Sequence, residues 1–122
     1  MENPHFTAGK NIAVKVPVHK FEQTISFYRD ILGFKVLEFD NPGNYEGKAF
    51  EFGSITLWID KCPSLSQAEI WLEIETPDAE KAKDYFRLKG IHRRDEIEEL
   101  PPEVRGFWIA GPSDIIHLVN EP

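Results

Sequence analysis

The chain has 122 residues, a single cysteine and a net charge of −7, with 41% apolar residues. That length allows one domain, or two half-domains sharing a core, and buries roughly two-thirds of the unfolded surface. The acidity argues against nucleic acid and anionic membrane surfaces, which call for basic patches, and Cys62 alone rules out an intrachain disulfide and suits a reducing cytoplasm. No apolar run of about 18 residues offers a membrane span. The opening MENPHFTAGK lacks the charged and apolar regions of a signal peptide and reads as a short extended arm.

Residues 11–16 alternate: Ile12, Val14 and Val16 point one way, Asn11, Ala13 and Lys15 the other. The apolar set is expected under the helix that follows. Pro17 ends the strand. A helix is expected from about Phe21 to Leu32, with a buried stripe of Phe21, Ile25, Tyr28 and Leu32 and a stop at Gly33. Strands are expected at Phe34–Asp40, Gly47–Phe52 and Ser54–Ile59. Asn41-Pro42-Gly43 turns the chain after the first of these, and Gly53 makes a tight hairpin between the other two. Asp60–Ala68 reads as an aperiodic linker in which Cys62 is an incidental thiol.

The second half repeats the plan. Glu69–Glu75 alternates, with Ile70, Leu72 and Ile74 on the helix side and Glu69, Trp71, Glu73 and Glu75 on the other. Thr76-Pro77-Asp78 opens a helix with Thr76 as N-cap; Ala79, Ala82 and Phe86 form its buried stripe and Gly90 ends it. A weak strand around Ile91–Ile97, an acidic loop Asp95–Glu103 and two strands, Arg105–Ala110 and Asp114–Asn120, complete the chain. An offset of 58 residues relates Asn11 to Glu69, the pair Phe27-Tyr28 to Tyr85-Phe86, and Gly53 to Gly111. Two βαβββ modules, about 10–60 and 69–120, are therefore expected on either side of a linker at 61–68. The class is α+β.

Two such modules, with FYRDILGF at residues 27–34 after the first strand and Gly111-Pro112 in the last hairpin, resemble the vicinal oxygen chelate superfamily. That group includes glyoxalase I, extradiol dioxygenases and bleomycin-resistance proteins. The resemblance covers about residues 10–120. It implies curled sheets around a cup, and a homodimer. In its metal-using members it implies one ligand on each of four strands, usually His, then Glu or another residue, then His, then Glu. Those positions here carry Asn11, Thr56, Glu69 and His117, so three of the four depart from type, and His117 stands where Glu is usual.

The residues themselves leave several chemistries open. Divalent metals in such sites take three or more protein ligands. His117 and Glu69 supply two, and Asn11 adds only an amide oxygen. His5, His19 and His92 read as arm, loop and helix-exit residues. Glu69 and His117 are expected on one face, where without metal they form either an ion pair or an acid–base couple. By alternation Trp58, Trp71 and Trp108 point toward the same side as Asn11, Thr56 and Glu69. They either fill that space or stack on a flat or cationic ligand. The leading expectation is a cytoplasmic, homodimeric small-molecule-binding protein that needs no cofactor and no nucleic-acid or membrane partner. Its ligand, aromatic or cationic, would contact Asn11, Thr56, Trp58, Glu69, Trp71, Trp108 and His117. The alternative is a divalent-metal-dependent lyase, isomerase or dioxygenase using His117 and Glu69.

Overall fold

The first alternating run does become a strand, but β1 starts earlier than Asn11 and spans Thr7–Val16. It belongs to a computed structural model that describes residues 3–39 and 46–122 and divides into two units, Lys10–Trp71 and Leu72–Pro122 joined by the N-terminal residues through Gly9. Each unit carries a βαβββ arrangement, so the chain is α+β.

In the first unit β1 is followed by the helix α1 (Val18–Ser26), a π-helical turn (Phe27–Ile31), β2 (Val36–Leu37), β3 (Gly47–Phe52) and β4 (Ile55–Lys61). The strands lie in the order β2-β3-β4-β1, with β1 and β4 parallel and the other pairs antiparallel. The helix starts before Phe21 because Pro17, extended at φ −64°, takes the N-cap position, and its carbonyl accepts a bond from the Lys20 N–H at 3.0 Å. Phe21 and Ile25, one turn apart, are buried against Val16, Phe50, Leu57 and Ile59. Tyr28 packs on Phe50 and Phe34. Leu32 leaves the expected stripe and is 44% exposed, because the π turn adds a residue before it, seen in the Leu32 N–H bonded to the Phe27 carbonyl. Gly33 then ends the helix at φ +71°, a conformation that costs glycine nothing sterically. The expected turn at Asn41-Pro42-Gly43, and Asp40 before it, lie outside the described residues. Asp60 is a correction: it lies in β4, not in the linker.

In the second unit β5 (Glu69–Glu75, whose first residues belong to the first unit) leads to α2 (Ala79–Leu88), β6 (His92–Arg93), β7 (Gly106–Ala110) and β8 (Ile116–Asn120), in the order β5-β8-β7-β6. The cap of α2 is Asp78, whose Oδ1 accepts from the Lys81 N–H at 3.1 Å, and not Thr76. Thr76 is 1% exposed and still continues the strand pairing, its N–H bonded to the Asn120 carbonyl. With the helix beginning at Ala79, Thr76 lies two residues ahead of the cap position. Ile70, expected on the helix side, is 58% exposed. Helix α2 offers the small side chains Ala79 and Ala82 to Phe107, Ile109 and Val119. Aromatic rings fill the space this leaves: Phe6 lies 5.2 Å from Phe86, which lies 6.1 Å from Phe107. Among the described residues no helix is long and apolar enough to cross a membrane.

Candidate functional site

The parallel pairing of β1 and β4 decides what the first unit presents opposite its helix. Asn11 stands beside Thr56, Ala13 beside Trp58 and Lys15 beside Asp60, while Ile12, Val14 and Val16 stand beside Leu57, Ile59 and Lys61. Paired residues share a face. The apolar set therefore meets α1, and the other face gathers Asn11, Lys15, Thr56, Trp58 and Asp60. Ala49 and Gly47 of β3, opposite Trp58 and Asp60, leave that face without bulk at its edge.

Five contacts organise this face. The Trp58 indole Nε1–H donates to Asn11 Oδ1 at 2.7 Å, and the Phe39 ring lies 4.8 Å from the half-buried Trp58 at an interplanar angle of 30°. The Lys15 ammonium donates to Asp60 Oδ2 at 2.8 Å, with side-chain exposures of 3% and 16%. The same ammonium lies 4.3 Å from the centre of the Trp71 ring, and the Trp71 indole N–H donates to Glu69 Oε1 at 3.0 Å. Gly47 makes room for the ion pair, since a Cβ there would stand 2.6 Å from Asp60 Oδ1. Burial of an ammonium is tolerated because a carboxylate and an aromatic face replace its water. Asp60 was hidden in the sequence by Cys62-Pro63, which reads as the start of a loop; continuing the alternation of Thr56 and Trp58 by one step would have reached it.

In the second unit Trp108 is buried, its backbone N–H donating to Asp95 Oδ1 and its indole N–H to the Glu98 carbonyl, both at 3.0 Å. These bonds tie down part of the acidic loop that the sequence presented as a solvated connection. His117 calls for a correction. It pairs with Leu72 on β5 and Ile109 on β7, and the next pairs on that face are Ile74–Val119 and Phe107–Val119, all within the core under α2. Trp108, Leu118 and Glu73 occupy the opposite face. His117 therefore does not share the side of β5 from which Glu73, and by alternation Glu69 and Trp71, project. The repeat already held this signal: the residue 58 positions before His117 is Ile59, a fully buried core residue. The parallel register confirms the equivalence, since Val14 opposes Ile59 as Leu72 opposes His117. His117 Nδ1 lies 3.0 Å from the Ile115 carbonyl oxygen. A carbonyl only accepts, so Nδ1 donates the proton in this contact.

The donor set does not fit a metal of the type the resemblance implies. The Asn11 amide oxygen is engaged by Trp58, one oxygen of Glu69 by Trp71, and His117 faces the helix-packed side of its sheet. Among the described residues no group of three or more His, Cys, Asp or Glu side chains is placed to hold a metal ion.

No protein-family model matches the chain, and no curated relative matches it. Solved structures do. A hypothetical protein of Bacillus halodurans is similar at 11% identity and TM-score 0.68, over 96% of this chain and 94% of that one. A variant of the Streptomyces coelicolor methylmalonyl-CoA epimerase, in complex with 2-nitronate-propionyl-CoA, is similar at 15% identity and TM-score 0.66, over 96% and 98%. A Mn(II)-bound glyoxalase of Novosphingobium aromaticivorans is similar at 13% identity and TM-score 0.68, over 97% of this chain and 40% of that one. The fold is the one these solved structures have. At these identities the likeness concerns the fold, and function rests on the residues of this chain.

Proposed function

We propose that this chain is a small-molecule-binding protein that works without a metal and takes a flat aromatic or cationic ligand against Trp58. The observation that carries the reading is the first unit's sheet face. There Trp58, braced by Asn11 and stacked near Phe39, stands beside Thr56 and the Lys15–Asp60 pair. A half-buried indole with its N–H already satisfied offers its π-face, which suits stacking and attraction to a cation. Thr56 and Asn11 supply polar contacts. Glu69, exposed at the start of β5, supplies negative charge, with Trp71 held beside it. Trp108, buried and with both N–H groups engaged, is taken as packing in its own unit. The donor chemistry supports metal independence, and similar folds that bind acyl-CoA compounds support a small-molecule role. The metal-dependent alternative through His117 and Glu69 finds no support in the register of β8. The reading includes a cytoplasmic homodimer, which sedimentation at two concentrations tests directly.

The test of binding is a titration of chelator-treated protein with an N-methylquinolinium salt, read by tryptophan emission. Saturable quenching is expected, weakened about fivefold to tenfold in Trp58→Leu, as fits the loss of about 1 kcal/mol of ring stacking. Flat emission across a library of aromatic and cationic compounds, or binding that appears only after Mn(II) is added, would overturn it.

A further inference from the structure

A second concavity lies on the other side of the first unit, against the helix and away from the sheet face that carries Trp58. It is a groove of about 680 Å³ between α1, the π turn and residues Ser66–Ala68. That volume lies within the usual range for small-molecule sites, about 300–1,000 Å³. Its floor is apolar: Phe27, Tyr28 and Ile31 line it, and Phe27 is 44% and Ile31 72% exposed. Exposed apolar side chains of this size, grouped in a concavity, are unusual on a monomer surface unless something covers them. The π turn puts them there. Its extra residue lets Tyr28 face Phe34 and Phe50 while its neighbours Phe27 and Ile31 stay outside.

Charge then selects the occupant. The chain has 21 acidic residues against 14 Lys and Arg, yet no carboxylate lines this groove. His19 and Lys20 do, both exposed on the first turn of α1. Among the described residues the Lys20 ammonium has no carboxylate partner, whereas Lys15, Lys61 and Lys83 each have one. Gln23, Ser66 and Gln67 add neutral hydrogen-bonding groups at the rim.

We propose that the groove is a second small-molecule site, for an amphipathic organic anion: an aryl or branched-alkyl carboxylate whose hydrocarbon lies on Phe27 and Ile31 and whose carboxylate meets Lys20 and His19. The ligand class is opposite in sign to the one assigned to the Trp58 face, so the two sites are separable by charge.

The experiment is an amide-resolved NMR titration of the full chain with 1-naphthylacetate, and in parallel with the cation 1-naphthylmethylammonium. The anion is expected to shift the amides of His19, Lys20, Phe27, Ile31 and Ala68 saturably, with affinity falling about tenfold in Lys20→Glu, where a like charge replaces the attraction. Trp58→Leu is expected to leave these shifts unchanged, which keeps the result independent of the first site. Any of three results would overturn the proposal. One is a shift of the same amides as strong with the cation. Another is anion binding by Lys20→Glu equal to that of the parent chain. The third is a response of the groove amides to protein concentration alone, abolished by Ile31→Asp, which would make the groove a contact between copies of the chain.

Discussion

The two βαβββ units share their parallel pairing and differ in everything attached to it. Asn11 opposite Thr56 and Leu72 opposite His117 are both separated by 45 residues along the chain. The repeat is thus kept where strands cross under a helix. It is lost in the closing hairpin. The first unit turns at Gly53, at φ +65°, and passes directly into β4. The second needs Gly111 through Ile115, with Ser113 and Asp114 at φ 63° and 58°. The correspondence of Gly53 with Gly111 is therefore one of position in sequence and not of role. The packing differs too. Helix α1 brings Phe21 and Ile25 to its sheet, while α2 brings Ala79 and Ala82 and lets Phe6, Phe86 and Phe107 supply the bulk. A duplicated framework tolerates such exchanges because cores demand filled volume more than particular residues. The faces away from the helices have diverged furthest. One holds a buried ion pair and an accessible indole; the other has Leu118 and a Trp108 fastened to a loop.

The largest effect is expected from making the first face resemble the second. Lys15→Met strands the Asp60 carboxylate beside Gly47, and should cost about 3 kcal/mol in urea unfolding, at the low end for a broken buried pair because Asp60 keeps some solvent. The double variant Lys15→Met with Asp60→Leu should recover most of that loss, since two apolar groups leave no charge to satisfy. Equal stability of the parent and Lys15→Met would show that the pair contributes nothing and that the two faces differ only in appearance.

A smaller and opposite pair of effects is expected at the turns. Gly53→Ala meets no atom within 4 Å, so its cost is purely conformational, about 1 kcal/mol. Ser113 follows Pro112 in a turn closed by the Asp114 N–H on the Gly111 carbonyl, and it sits where glycine is favoured. Ser113→Gly should therefore stabilise by up to about 1 kcal/mol. A fall in thermal midpoint for Ser113→Gly would mean that its hydroxyl, and not the backbone, governs the turn.

The smallest difference is expected in acid, at one surface pair in each unit. Hydrogen bonds from Arg29 hold the Asp30 carboxyl below its usual range, and a hydrogen bond from Arg94 does the same for Glu96. A carboxyl with a lowered folded pKa binds its proton more readily when unfolded. Its contribution is therefore present above the ordinary carboxylate range and is lost as the pH falls through the folded value. Both groups are exposed, so Asp30→Asn and Glu96→Gln should each flatten the acid limb of stability only slightly, and the limb should shrink further in high salt. A steepened acid limb in either variant would reverse the assigned sign.

Period and punctuation made the framework legible. The alternation of Ile12, Val14 and Val16, the Phe21–Ile25 spacing, the glycines at 33, 53 and 90, and the repeated aromatic pair placed the helices and most strands to within a few residues. These are local signals, because a strand shows its two faces every second residue and a helix shows its stripe every turn. Pairing is not local. That Asp60 continues β4 to meet Lys15, that Trp58 leans on Asn11, that Thr76 stays in the ladder while Asp78 caps α2, and that His117 turns toward the helix all depend on which residue stands opposite which. A shift of one residue in register moves a side chain to the other face of the sheet. The sequence alone could therefore name the polar residues of the candidate site, and only the tertiary pairing decided which of them share a face.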